Sequence, residues 1–193
     1  AADIAEQRAR MSGLRLDRER ARREADRFRA ETRELTDAVE RDALTGIGNR
    51  RAFDRALGAL LSQGHARCTL ALIDCDHFKA VNDQASHLAG DRVLQRIAKV
   101  LTQASRKSDL AARFGGDEFA VVFADAGGDE AASVCERIRA AVEHHADDGA
   151  PPVTVSIGVA AAAPGDTVES LIGRADAALY RAKAEGRNRV AAG

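Results

Sequence analysis

Two short acidic clusters are the first residues whose type and spacing could do chemistry. Asp74-Cys75-Asp76 ends the apolar run Cys68 to Ile73, and Asp117-Glu118 follows directly on Gly115-Gly116. Carboxylates left at the edge of a hydrophobic sheet need a partner, and a set of hard oxygen donors suits Mg²⁺. No Cys or His pair has the spacing of a zinc site. Spacing alone also allows plain, exposed turn acids. The C-terminal segment favours the first reading: Lys183 stands near the end of a helical pattern and Arg187 follows Gly186, a cation pair suited to a triphosphate.

The elements that must position these groups alternate between strand and helix patterns. Residues 50–62 read as a helix with Phe53, Ala56, Leu57, Leu60 and Leu61 on one face. Cys68 to Ile73 is a continuous apolar run, as expected of a strand buried on both faces. Two further helices carry stripes at Val93, Leu94, Ile97, Val100, Leu101 and at Val134, Cys135, Ile138, Ala141, Val142. Leu110–Phe114 and Phe119–Phe123 read as strands joined through Gly115-Gly116-Asp117, a hairpin signal. Val153–Val159 reads as another strand and Val168–Ala182 as another amphipathic helix. This order predicts an α/β sandwich with helices on one or both faces of a central sheet.

The chain has 193 residues, 29 Lys+Arg against 30 Asp+Glu. So even a balance argues against a nucleic-acid or membrane-surface coat, since polyanion affinity depends on basic excess. No apolar run approaches the roughly 18 to 20 residues of a spanning helix, and the charged N-terminus is unlike a signal peptide. Cys68, Cys75 and Cys135 are odd in number and set among apolar residues. They read as reduced, packed thiols of a cytoplasmic protein.

The near-zero balance hides a boundary. Residues 1–40 hold ten basic and ten acidic side chains and the single breaker Gly13. They read as a separate helical unit ahead of a globular domain at 41–193. Heptad rows run through Ile4, Met11, Arg18, Ala25, Thr32, Val39 and through Gln7, Leu14, Ala21, Phe28, Leu35. These rows predict a parallel two-stranded coiled coil, best from Leu14 to Val39, with Arg18 at a core position. A single amphipathic helix lying on its own domain is the alternative. The absence of an initial Met and the start within a helical pattern suggest a piece of a longer sensor protein.

Arg113-Phe-Gly-Gly-Asp-Glu-Phe119 resembles the signature of the GGDEF family of diguanylate cyclases. Further blocks stand in the family's order: Asp42 to Arg51, Asp74 to Asp83, His87 to Asp91, Val155 to Val159 and Tyr180 to Asn188. The resemblance implies a mostly antiparallel sheet flanked by helices, like the nucleotide-cyclase and polymerase palm. It also implies condensation of two GTP into cyclic di-GMP and pyrophosphate by a homodimer. Asp74, the Cys75 backbone carbonyl and Asp117 would hold Mg²⁺, with Mn²⁺ as substitute. Asp117 would also activate a ribose 3′-hydroxyl, and Glu118 would help with a second ion. Gly115 and Gly116 would let the backbone approach the nucleotide. The turn from Asp76 through Phe78 and Lys79, with Lys183 and Arg187, would hold phosphates, and Asn82 with Asp91 would read guanine. Arg106 and Asp109 resemble an RxxD product-inhibition site, with Arg137 as its supplementary arginine. A local ion pair is the plainer reading of Arg106 and Asp109.

His77 reads as a turn residue and His144-His145 as a solvated helix end. Ser86 stands where the family usually has Gly, and Ile47 where Leu is more common. A silent receptor for GTP or cyclic di-GMP is the second reading of the whole, although all five residues from Gly115 to Phe119 are intact. If the heptads pair, the full chain sediments as a dimer and residues 41–193 as a monomer; equal monomeric masses for the two would contradict the coiled coil.

Overall fold

In the computed structural model the described residues are 22–24, 27, 39–63, 67–144 and 149–193. The chain divides into two compact units, Ala1–Val39 and Glu40–Gly193. In the first, residues 22–24 and 27 are helical and exposed. The coiled-coil expectation otherwise lies outside the described residues, as does His145.

The second unit runs α1 (Arg50–Ser62), β1 (Thr69–Cys75), α2 (Phe78–Gln84), α3 (His87–Ala104), β2 (Leu110–Gly115), β3 (Glu118–Phe123), α4 (Gly128–His144), β4 (Val155–Ala161), α5 (Val168–Ala184) and β5 (Val190–Ala192). The sheet order is β2-β3-β1-β4-β5. All pairings are antiparallel except β4 with β5. β1 therefore has neighbours on both edges, which hold it in fixed register from Thr69 to Asp74.

Both faces of the sheet are covered, which explains why its strands read as continuous apolar runs. One face places Ala71, Ile73, Phe119, Val121 and Ile157 against Val93, Ile97 and Leu101 of α3 and Cys135 and Ile138 of α4. The other places Leu70, Leu72, Ala120 and Val122 against Phe53 and Leu57 of α1 and Leu171, Ala175 and Leu179 of α5. The Phe53 and Phe114 rings meet edge to face at 4.9 Å, and the Arg50 guanidinium lies 3.7 Å from the Phe114 centroid. Three helix starts are capped from the sequence. Asn49 accepts from the Arg51 and Ala52 amides, and Thr167 forms a reciprocal pair with Ser170. Ser86 accepts from the Ala89 amide at 3.2 Å, so its hydroxyl serves as a helix cap at the start of α3.

Several elements differ from the sequence reading: β4 runs Val155–Ala161 where Val153–Val159 is expected, and α5, β2 and β3 are each one or two residues longer. The ladder of β1 continues through Asp74 to Cys75, because backbone pairing is indifferent to a polar side chain at a strand's end. The short β5 was not expected; three residues give no periodicity to read. Backbone packs closest on backbone at Gly158 of β4, where a Cβ would stand 2.2 Å from both the Ala175 carbonyl oxygen and the Leu179 nitrogen. These are backbone atoms of α5 and cannot rotate away. Gly158→Ala is expected to cost about 3 kcal/mol, the upper end of ordinary overpacking, read as a lower urea midpoint. An unchanged midpoint would contradict this packing.

Candidate active site

The end of β1 leads through Asp74, Cys75 and Asp76 in succession, and each is held differently. Asp74 faces Glu118 on β3 and Ser156 on β4 in the ladder. Its Oδ2 lies 2.7 Å from Lys183 Nζ, with the Asp74 side chain 14% exposed. Burial pushes the Asp74 carboxyl up from its ordinary range, Lys183 pulls it back, and Asp117 and Asp76 push it up further. The Cys75 thiol is buried in the core. Burial, with Asp117, Asp76 and Asp74 adding to it, pushes that thiol up to about 12. An un-ionised thiol facing the core leaves the backbone as what residue 75 can present.

Asp76 is 4% exposed yet amply satisfied. Its oxygens accept from Ser156 Oγ and Thr154 Oγ1, each at 2.7 Å, and from the Asn188 backbone N–H at 3.1 Å. The next residue, His77, takes a left-handed backbone with φ 58° and starts α2. This conformation turns the chain sharply from β1 into Phe78 and Lys79. His77 is exposed, which agrees with a turn role.

The glycine turn closes over this end of the sheet. Gly116 has φ +34°, and the ladder slips between Arg113 and Gly115; both features relieve crowding that a side chain would cause. The Cys75 N–H donates to the Asp117 carbonyl at 3.3 Å, tying the turn to the end of β1. Arg113 secures it from the other side. Its Nε and Nη2 both donate to the Gly116 carbonyl, at 2.9 and 2.7 Å. Its Nη1 lies 3.3 Å from both Asp42 carboxylate oxygens. Asp42 in turn accepts from the Thr45 amide and hydroxyl, and these bonds hold its carboxyl below the ordinary range against the opposing effect of burial. The sequence motifs contain Arg113, Asp42 and Asn188 without showing a role for them, and they place Asp76 in the phosphate-holding turn without showing what fixes its carboxylate. Their distant partners lie 45 to 112 residues along the chain, which no local pattern reports.

A cavity of about 310 Å³ opens at this place, lined by Asp74, Cys75, Asp76, His77, Phe78, Lys79, Asp117, Lys183 and Arg187. The structure thus gathers seven of the anticipated site residues. Among the described residues no three His, Cys, Asp or Glu side chains form a ready-made metal cage. Mg²⁺ is ordinarily held by one or two carboxylates with the rest of its shell from water and substrate phosphates. Asp74, Asp117 and the Cys75 carbonyl fit that donor set. Gly115 and Gly116 lie in the turn above. Asn82 and Asp91 belong to the neighbouring pair of helices: a Cβ on Gly90 would stand 2.1 Å from Asn82 Oδ1, so the carboxamide packs against α3 one residue from Asp91. Glu118 is placed differently. It is exposed, and it lines another cavity, of about 370 Å³, with Arg50, Phe114, Glu169 and Asp176.

The Arg106–Asp109 segment forms a tight loop. Asp109 accepts from the Arg106 backbone N–H at 2.8 Å, and the Asp109 N–H donates to the Arg106 carbonyl. The Arg106 guanidinium bonds Glu130 of α4 at 2.8 Å. Arg106, Asp109, Lys107 and Arg41 line a cavity of about 450 Å³. Arg137 is exposed on α4 and is not among the residues lining that cavity.

Residues 39–189 match the family described as "Diguanylate cyclase, GGDEF domain". Diguanylate cyclase VdcA of Vibrio cholerae is 41% identical over 155 residues, covering 77% of this chain and 45% of that protein. Response regulator PleD of Caulobacter vibrioides is also 41% identical, over 163 residues, 77% of this chain and 35% of its own length. The chain therefore spans less than half the length of these relatives. Among solved structures, the coiled coil and GGDEF domain of DgcB from Caulobacter crescentus, in complex with c-di-GMP, superposes with a TM-score of 0.80. It is 33% identical and covers 93% of this chain and 99% of that one. Diguanylate cyclase SiaD of Pseudomonas aeruginosa, in complex with its activator SiaC, gives 0.77 at 34% identity, with 100% and 81% covered. The sheet order, the glycine turn over Asp74 and these matches together place the chain in the GGDEF diguanylate cyclase domain family.

Proposed function

We propose that the chain is the catalytic part of a Mg²⁺-dependent diguanylate cyclase that condenses two GTP into cyclic di-GMP and two pyrophosphates. The observation that carries this is one cavity in which Asp74 and Asp117 meet Lys183, Arg187 and the Asp76–Lys79 turn, in a chain whose Gly115 to Phe119 signature is complete.

In this reading Lys183 and Arg187 neutralise the terminal phosphates, while amides of the turn through Phe78 and Lys79 donate to them. Gly115 and Gly116 leave the nucleotide room beside the backbone. Asn82 and Asp91 read guanine, because an amide and a carboxylate together match its acceptor and donor edges and mismatch those of adenine. Asp74, Asp117 and the Cys75 carbonyl would hold Mg²⁺, which would supply a lowered pKa at the ribose hydroxyl and charge stabilisation at the phosphates. The Asp117 carboxylate receives the 3′-hydroxyl proton. The freed oxygen attacks the α-phosphate of the second GTP, its bond to the β-phosphate bridging oxygen breaks, and pyrophosphate leaves; repetition closes the ring. Glu118, opposite Asp74 in the ladder, would help hold a second ion from the start of β3.

Each domain holds one GTP, so two domains must face each other. The unit at residues 1–40 would bring them together as a coiled coil in the cytoplasm, and the register of that coil would set how often the half-sites meet. The cavity at Arg106 and Asp109, with Arg137 on the following helix, would take cyclic di-GMP and restrain the enzyme. Arg106 would exchange Glu130 for the product's guanine or phosphate when it binds.

Incubation of the chain with GTP and Mg²⁺, followed by chromatography of the products, is expected to yield cyclic di-GMP. Asp117→Ala is expected to lower the rate by at least about a hundredfold, the scale of losing general base and metal ligand together. In the same assay Arg106→Ala should continue to turn over when cyclic di-GMP is added. No product at high protein concentration would favour a silent receptor, and undiminished inhibition of Arg106→Ala would remove the inhibitory assignment.

A further inference from the structure

Behind the phosphate-facing side of the 310 Å³ cavity lies a hydrogen-bonded clasp to which the reading above gives no role. Gly186, Arg187 and Asn188 all have positive φ, 112°, 60° and 47°. Two of these are not glycine, so something must hold them in a conformation that L-residues disfavour. Asn188 shows what does. Its Oδ1 accepts from Arg139 Nη1 at 2.8 Å, its Nδ2 donates to Glu143 Oε1 at 2.8 Å, and its backbone N–H donates to Asp76 Oδ2.

Each partner is itself fixed. Arg139, 15% exposed, bonds Glu143 Oε2 at 2.6 Å and Glu136 at 2.7 Å. Hydrogen bonds from Arg139 and then Asn188 hold the Glu143 carboxyl below its ordinary range. Asp76 is buried and bound by Thr154 and Ser156. The clasp thus joins α4 to the residue that opens the 76–79 turn, and it does so through the neighbour of Arg187. An amide can accept from a guanidinium and donate to a carboxylate at once, and Asn is among the few side chains that tolerate a left-handed backbone.

We propose that Asn188 is the positioning residue of the triphosphate wall. Arg139 and Glu143 grip its carboxamide, its N–H locks Asp76, and the Arg187 cation and the Asp76–Lys79 turn are thereby set at a fixed distance before nucleotide arrives. A preset wall loses no ordering entropy on binding, so the effect falls on ground-state affinity. The inference rests on the reading that Arg187 and this turn hold the phosphates of GTP.

Calorimetry with 3′-deoxy-GTP and Mg²⁺, which cannot cyclise, tests it on the full chain alongside KM and kcat for GTP. Asn188→Asp sets a carboxylate against Glu143 and should weaken binding about tenfold, the scale of one charge-assisted hydrogen bond, with the loss in KM rather than kcat. Adding Glu143→Gln exchanges donor and acceptor across the clasp and should restore affinity to within about threefold. Asn188→Gly keeps the left-handed backbone but deletes the carboxamide, and should weaken binding to the same degree if Asn188→Asp folds poorly by thermal melting. Undiminished affinity in a folded Asn188 variant, or a double variant no better than Asn188→Asp, overturns the proposal. Arg187→Ala separates the two levels: if it leaves affinity unchanged, the phosphate reading itself fails. If it weakens binding while the Asn188 variants do not, only the positioning claim fails.

Discussion

The site depends on a concentration of negative charge that the sheet forces into one place. β1 is paired on both edges and covered on both faces, so Asp74 and Asp76 cannot drift apart from each other or from Asp117 across the turn. Three carboxylates so close repel one another unless each finds a partner. Asp76 finds neutral donors in Thr154, Ser156 and the Asn188 amide. Asp74 finds Lys183. Asp117 faces the cavity beside both, where a divalent cation and its phosphates would complete the balance. In the proposed reading, a metal nucleotide is what would balance this concentration of carboxylates.

The scaffold answers that constraint with contacts from far along the chain. α5 carries Lys183 and is pressed onto β4 through Gly158. The C-terminal segment that follows it turns back through Gly186 to Asn188 and adds β5 beside β4. On the other side, Arg113 joins the Gly116 carbonyl to Asp42 and hence to the loop that begins the domain. The glycine turn is therefore braced by the segment that directly follows residues 1–40. Arg113, together with the backbone bonds of Gly48 to β2, ties that segment to the glycine turn.

Much of this was legible in the sequence, and the exceptions share a cause. The apolar run before Asp74, the two glycines before Asp117 and the helical stripes of α3, α4 and α5 are local patterns, and each became the expected element. The family motifs identified Lys183, Arg187, Phe78 and Lys79, and the structure brings all four to the cavity of Asp74 and Asp117. What fixes Asp76, Arg113 and Asn188 was not legible in those same motifs, because the distant partners that hold them are 45 to 112 residues away. Glu118 was grouped with Asp117 by adjacency. Glu118 at the start of β3 lines a different cavity with Arg50 and Phe114, while the ladder sets it across from Asp74, a pairing that sequence adjacency does not report.

The central claim is that Asp74 and Asp117 form a site for a metal nucleotide rather than a pair of structural acids. Calorimetric binding of 3′-deoxy-GTP to the full chain, with Mg²⁺ and again with excess EDTA, in the unaltered protein and in Asp74→Asn, tests it most directly. The account predicts Mg²⁺-dependent binding that weakens at least about tenfold in Asp74→Asn, the scale of one lost charged ligand. Equal affinity with and without Mg²⁺, or an Asp74→Asn variant that binds as the unaltered chain does, would contradict it.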